Sequence, residues 1–226
     1  MKYYGQFLPK VDEFIHNRYF SNNLPAERSP FSSGKRDPGF FIECGAFDGI
    51  TESSCFFFEE TLGWKGINIE PSPPIFFQLE QNRTKSLNLN VALSDKSGLY
   101  EFSHAIHPTL GRNFGNGSLR HTELHLNELL EIGCDFESFR VVTTTYQEIT
   151  VEQEIERVDL MVLDVEGGEM EVIAGMNGCS KEALPRILCV EHTLVGLENL
   201  ERVLLTMGYN YDCSSHSNSF FVLQNS

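Results

Sequence analysis

The chain reads as an α/β protein with a doubly wound, mostly parallel sheet and helices on both faces. Three observations predict this. From about Phe40 onward, short apolar runs alternate with segments of helical period. The strand-like runs are nearly continuous in apolar residues, as burial on both faces requires. The 226 residues, 41% of them apolar, suffice for one sizeable core.

The elements follow in order. Val11, Phe14, Ile15 and Tyr19 recur at helical spacing and predict a short amphipathic helix. NNLPAERSPFSSGKRDPG, rich in Pro, Ser and Gly, reads as a linker or flap. Residues 1–39 thus form an N-terminal helix and linker, and 40–226 the main domain. FFIECG is the first strand. TESSCFFFEETLG is a helix with Thr51 as N-cap and Gly63 as its stop. KGINIEP is the second strand. SPPIFFQLEQNR is the second helix, with Ser72 as cap and Pro73 at its first position. LNLNVALS is the third strand. VDLMVLDVEG and RILCVEHT are the fourth and fifth, each followed by a helix, GEMEVIAGM and LENLERVLLTMG. YNYDC and SNSFFVLQ predict an antiparallel C-terminal hairpin.

An insertion between the third and fourth strands, from about Gly98 to Thr150, breaks the rhythm. LYEFSHA and FRVVTTTYQEI read as extra strands around a loop and a helix. Substrate contacts gather on such irregular segments. His104, His107, Arg112, Asn116 and Ser118 are the candidates there, with plain loop as the alternative for each.

Charge narrows the partners. A formal charge of −15 and a pI near 4.8 repel phosphate backbones and anionic membranes, so neither nucleic acid nor membrane is expected. The first twenty or so residues carry no apolar run of the length a spanning helix needs. The six cysteines include no C-x-x-C pair, which argues against zinc and for reduced thiols in a cytoplasmic protein.

The chemistry concentrates at strand ends. Phe41 to Cys44 lead into Gly45, Ala46 and Gly49, where the backbone can bend close to a ligand. Asp48 either touches that ligand or caps its own loop. Glu70 ends the second strand about twenty residues later, where a carboxylate suits both hydroxyls of a ribose. NAD and S-adenosylmethionine both carry that sugar. ECGAFDG lacks the G-x-G-x-x-G that seats a pyrophosphate, and Glu43 would repel one while suiting a cationic amino-acid end. Ala92, Leu93 and Ser94 end the third strand, beside an adenine ring or simply in the core. Asp164 and Glu166 end the fourth strand. They orient an acceptor hydroxyl, take its proton, bind a metal, or merely favour the next helix N-terminus. Glu191 and His192 end the fifth, with His192 a candidate general base and Asp164 with Glu191 a candidate magnesium pair.

ECGAFDG, GINIEP, NVALSD and VDLMVLDVEGGEMEVIAGM, in that order, resemble the FkbM-type methyltransferases from about Phe40 to the C-terminus. LDVEGGE is the most specific part of the likeness. The resemblance implies a Rossmann-like class I fold and S-adenosylmethionine-dependent O-methylation. It places Glu43, Gly45 and Gly49 along the methionine part of the cofactor; Glu70 would then hold the ribose, with Pro71 and Ser72 flanking the adenine side. The implied acceptor is a hydroxyl on a small molecule or glycan sugar, with a homodimer as the compatible assembly. Two departures stand out: Glu43 where such enzymes often carry Asp, and Phe47 where a small polar residue is common. A nicotinamide-dependent oxidoreductase and a non-catalytic cofactor-binding module are the rival readings.

Overall fold

A computed structural model describes residues 1–21 and 38–224. The linker or flap read from the sequence falls mostly in 22–37, outside the described residues. Five parallel strands form the sheet's body: β1 (Phe40–Cys44), β2 (Lys65–Ile69), β3 (Leu87–Leu89), β8 (Leu160–Leu163) and β9 (Ile187–Glu191). The hairpin β10 (Tyr209–Ser215) and β11 (Asn218–Leu223) adds antiparallel pairing against β9, giving the order β10-β11-β9-β8-β1-β2-β3. β1 lies between β2 and β8, the point where chain direction across the sheet reverses. Ligand crevices form outside the carboxyl ends of strands at such a point.

Period-two alternation divides the strands between two cores. Ile42, Ile67, Met161 and Leu188 face α5 (Tyr146–Glu152), α6 (Glu169–Ala174) and α7 (Leu197–Thr206). Phe41, Leu160, Ile187 and Phe220 face α1 (Val11–Ile15), the π-helical turn His16–Phe20 that continues it, and α2 (Phe56–Leu62). The N-terminal segment is thereby part of the second core. Its buried Asp12 accepts hydrogen bonds from the Tyr4, Gly5 and Glu13 amides, which fixes the first turn.

Three segments depart from the sequence reading. The helix after β1 starts at Phe56, not at Thr51, because Asp48 and Ser53 already take up the amides that a helix would need. Asp48 Oδ1 accepts from the Ile50 and Thr51 amides, and Ser53 Oγ from Phe56 N. The run LNLNVALS is not one strand. β3 stops at Leu89, and β4 (Ala92–Leu93) leaves to pair with β7 (Asp135–Thr144) in a second sheet. FRVVTTTYQEI turns helical at Tyr146, since Thr145 and Glu148 form a reciprocal capping box. The stop at Gly63 is as expected, with φ of 70° in the left-handed region. Ser72 occupies the N-cap of α3 (Pro73–Asn82), yet its side chain makes no cap bond.

The second sheet, in the order β4-β7-β5-β6, consists of β4, β7, β5 (Gly98–Ile106) and β6 (Gly117–Ser118), with α4 (Glu123–Glu131) between β6 and β7. It stands over the carboxyl edge of the main sheet as the wall of a cavity.

Candidate active site

A cavity of about 530 Å³ opens where β1, β2 and β8 end, within the ~300–1,000 Å³ usual for small-molecule sites. Its floor is the turn Glu43 to Phe47, with Glu70 and Pro71 on one side and Asp164 to Glu166 on the other. Ala92, Leu93 and Phe102 supply apolar surface, and His104, Asn113 and Asn116 a polar one. Gln6 and Glu52 close one end; Gln6 Nε2 donates to Glu52 Oε2 at 2.6 Å.

The glycines of the turn answer to the protein's own packing. A Cβ at Gly45, where φ is +78°, would sit 1.8 Å from the Asp164 carbonyl oxygen. One at Gly49, where φ is +81°, would meet Arg83 Cγ at 2.5 Å. Glu43 is also occupied. Its Oε1 accepts from the Ser54 and Cys55 amides at 2.8 and 3.0 Å, and Ser53 Oγ and Arg83 Nη1 reach Oε2 at 2.9 and 3.1 Å. Arg83, fully buried between the Phe41 and Phe56 rings, also donates to Glu59 and to the Gly49 carbonyl. Glu43 thus lines the cavity while holding the turn through protein partners. Asp48 does not line the cavity; beyond the two amides it accepts from Thr51 Oγ1 at 2.7 Å.

Glu70 is 6% exposed at the end of β2. One oxygen accepts from Ser72 N at 2.8 Å and the other from Phe47 N at 3.1 Å. Each carboxylate oxygen has two lone pairs, so each keeps one for a ligand. Burial pushes the carboxyl up to about 7 against the pull of the two amides.

Asp164, Glu166, Glu169 and Glu191 form a cluster around the end of β8. Burial, then the Glu191, Glu166 and Glu169 charges, push Asp164 well above the carboxylate range. The interaction between Asp164 and Glu191 raises Asp164 and lowers Glu191, against the burial that pushes both up. Burial, then Glu191 and Glu169, push Glu166 up to about 8. Glu166 sits at φ +56° before Gly167 at φ +98°, a turn that aims the β8 end at the cavity.

His192 and Glu191 are not among the residues lining the cavity. The His192 ring Nδ1 lies 2.8 Å from Ser219 Oγ, on the terminal hairpin. In the insertion, His104 and Asn116 line the cavity, whereas His107, Arg112 and Ser118 do not. Arg112 pairs with Glu137 at 2.6 Å, and Ser118 Oγ donates to the Glu166 carbonyl at 2.9 Å. Ser94 is likewise outside the lining, and Ala92 and Leu93 reach it from the second sheet instead of from the end of β3.

Sequence reasoning missed Arg83, Gln6, Glu52, Asn113 and the pair His121 and His125. The last pair had a signal, four residues apart on a helix face. Arg83 had none, because its partners lie at distant positions in the chain.

Among the described residues no three His, Cys, Asp or Glu side chains converge as metal ligands, at the expected magnesium pair Asp164 and Glu191 or elsewhere. Among the described residues no helix is long and apolar enough to cross a membrane.

Residues 43–211 match the family described as the Methyltransferase FkbM domain. Among solved structures, methyltransferase FkbM from Methylobacillus flagellatus KT is 14% identical, with 93% of this chain and 50% of that chain covered and a TM-score of 0.50. The chain described here spans half the length of that protein. The N-terminal domain of human METTL16 in complex with SAH is 13% identical, with 94% and 65% covered and a TM-score of 0.45. At 14% identity the likeness to the first of these is one of fold. No curated protein sequence matches the chain.

Proposed function

The chain belongs to the FkbM methyltransferase family, which depends on S-adenosylmethionine, and from that premise we propose that it methylates a hydroxyl oxygen on a small molecule or glycan sugar. The observation that carries this reading is Glu70: a buried carboxylate with one free lone pair on each oxygen, facing the cavity at the second strand end. That donor-seeking pair fits a ribose diol. Pro71, Ala92 and Leu93 offer apolar surface of the kind an adenine ring needs. Asp164 and Glu166, across the Gly45 turn, suit a positively charged end.

When bound, the cofactor supplies a methyl group on a sulfonium, which is already electrophilic. The chain's task is to orient the acceptor, exclude water and accept a proton. Orientation accounts for roughly 7–11 kcal/mol of barrier in well-positioned reactions. A placed base adds about 10²–10⁴-fold. Asp164 and Glu166 are the cavity's candidates for that base, and His104, Asn113 and Asn116 offer hydrogen bonds to a hydroxylated acceptor. The six unpaired cysteines support a reducing, cytoplasmic setting.

The test is direct. Calorimetry is expected to register S-adenosylhomocysteine binding to the wild type and its loss in Glu70→Ala. Radiolabelled S-adenosylmethionine, incubated with the protein and fractionated cell extract, is expected to label a hydroxyl-bearing fraction. Label on amine nitrogens alone would refute O-methylation.

A further inference from the structure

We propose that His125 is a positioning residue that keeps Glu166 ionised, so that Glu166 takes the acceptor's proton; this rests on the methyl-transfer reading above. The inference comes from counting protons on four ring nitrogens. His121 Nε2 faces the Ser103 carbonyl at 3.2 Å, and a carbonyl only accepts, so that nitrogen carries a proton. Asn116 Nδ2 donates to the Phe114 carbonyl, which turns Asn116 Oδ1 toward His125 Nε2 at 3.1 Å. That nitrogen must carry a proton too. The two Nδ1 atoms then face each other at 3.4 Å, and bare lone pairs repel, so one of them is protonated as well. Three protons on two imidazoles make one positive charge.

The countercharge is at hand. Glu166 Oε2 lies 3.7 Å from His125 Nε2. Burial, the largest influence on each, pushes both histidines down and Glu166 up, toward a neutral pair. The neutral arrangement that keeps both Nε2 protons would leave the two Nδ1 lone pairs facing each other at 3.4 Å. That contact therefore selects the charged form. The other titratable groups around the pair are His121 beside His125, and Asp164, Glu169 and Glu191 around Glu166. Burial, then Glu191 and Glu169, raise Glu166, so without His125 it would rest protonated.

Glu166 lines the cavity and His125 does not. As the acceptor oxygen bonds to the methyl carbon, the carbon–sulfur bond breaks and the sulfur leaves as a neutral thioether. The hydroxyl proton passes to Glu166 Oε2, whose negative charge offsets the positive charge consumed. His125 touches no reacting atom and acts only through Glu166.

Two measurements test this. In ¹⁵N-imidazole spectra of the wild type at pH 7, His125 is expected to show protons on both nitrogens, and to lose one in Glu166→Gln. One proton on each of the two imidazoles in the wild type would overturn the proposal. In the label-transfer assay, His125→Gln is expected to shift the rising limb of kcat against pH upward by ~1–3 units, the effect of removing a nearby opposite charge. Rate at pH 7 falls at least about tenfold and recovers at high pH, while S-adenosylhomocysteine still binds. Glu166→Gln loses about 10²–10⁴-fold at every pH. An unmoved limb in both His125→Gln and the fallback His125→Asn refutes the role of His125. A wild type that neither binds S-adenosylhomocysteine nor transfers label refutes the methyl-transfer reading itself.

Discussion

Replacing Glu70 by Gln separates the folding role of this carboxylate from its binding role. In the folded protein burial raises it to about 7, against an ordinary value of 4.5. A raised acid binds its proton more tightly when folded. Its contribution to stability is therefore fully present below about 4.5 and is lost as pH climbs through about 7. Integrating that linkage from pH 5 to pH 8 gives a loss of about 2.5 kcal/mol in the ligand-free wild type. Gln cannot ionise, so the variant escapes this loss. It carries a separate penalty, because its amide nitrogen must face either Phe47 N or Ser72 N, both donors. That cost, about 1–3 kcal/mol, does not change with pH.

The informative quantity is thus the pH slope of the stability difference. Urea denaturation at pH 5 and pH 8 is expected to show the variant gaining about 2.5 kcal/mol on the wild type across that interval. A difference constant with pH would mean that Glu70 is not a desolvated carboxyl and would undo the reasoning. Binding moves the other way. Two hydrogen bonds from a diol to a charged carboxylate contribute about 1.5–3 kcal/mol each. Glu70→Ala therefore weakens S-adenosylhomocysteine by roughly 10²–10⁴-fold.

Three further substitutions probe side chains outside the cavity lining. Arg83→Met strands Glu43 and Glu59 as buried charges and is expected to cost about 3–5 kcal/mol by denaturation, part of it recovered by adding Glu43→Gln. Asp48→Ala removes bonds to Ile50 N, Thr51 N and Thr51 Oγ1, so a loss of about 1–2 kcal/mol is expected with S-adenosylhomocysteine affinity little changed. His192→Ala gives up the contact with Ser219 Oγ and is expected to cost about 0.5–1.5 kcal/mol with label transfer retained. A fall of about a hundredfold in transfer would instead assign the proton to His192.

The sheet was legible because strand period and apolar content are local properties. Ile42 or Leu163 announces a buried strand by its neighbours alone. Glu70 was legible for a similar reason: an acid that ends an apolar run has no packing explanation. What stayed hidden depends on partners distant in the chain. Nothing near Glu43 reveals that Arg83, forty residues on, fills its second oxygen. The departure of Ala92 and Leu93 from the main sheet is set by pairing with Thr143 and Thr144. At Thr145 two local signals conflicted, a β-branched run and a capping box, and the box prevails because it satisfies helix amides that the strand reading left unpaired.

The proton state of the cavity bears on how it could hold a cation and release a neutral product. Asp164, Glu166, Glu169 and Glu191 are all pushed up by burial first, and the charges of neighbouring acids add to it at Asp164, Glu166 and Glu169. Without a ligand such acids resist full ionisation. A sulfonium brings the charge that offsets their repulsion, so its binding is coupled to proton release and strengthens as pH rises. The thioether product keeps the sugar and the ammonium but lacks the sulfonium charge. It therefore forfeits this part of the attraction. The preference for S-adenosylmethionine over S-adenosylhomocysteine is expected to be larger at pH 8 than at pH 6 in paired calorimetric titrations. A ratio of affinities that stays constant over that range would mean that the acids at the end of β8 do not face the sulfur, and would move the methyl group to another part of the cavity.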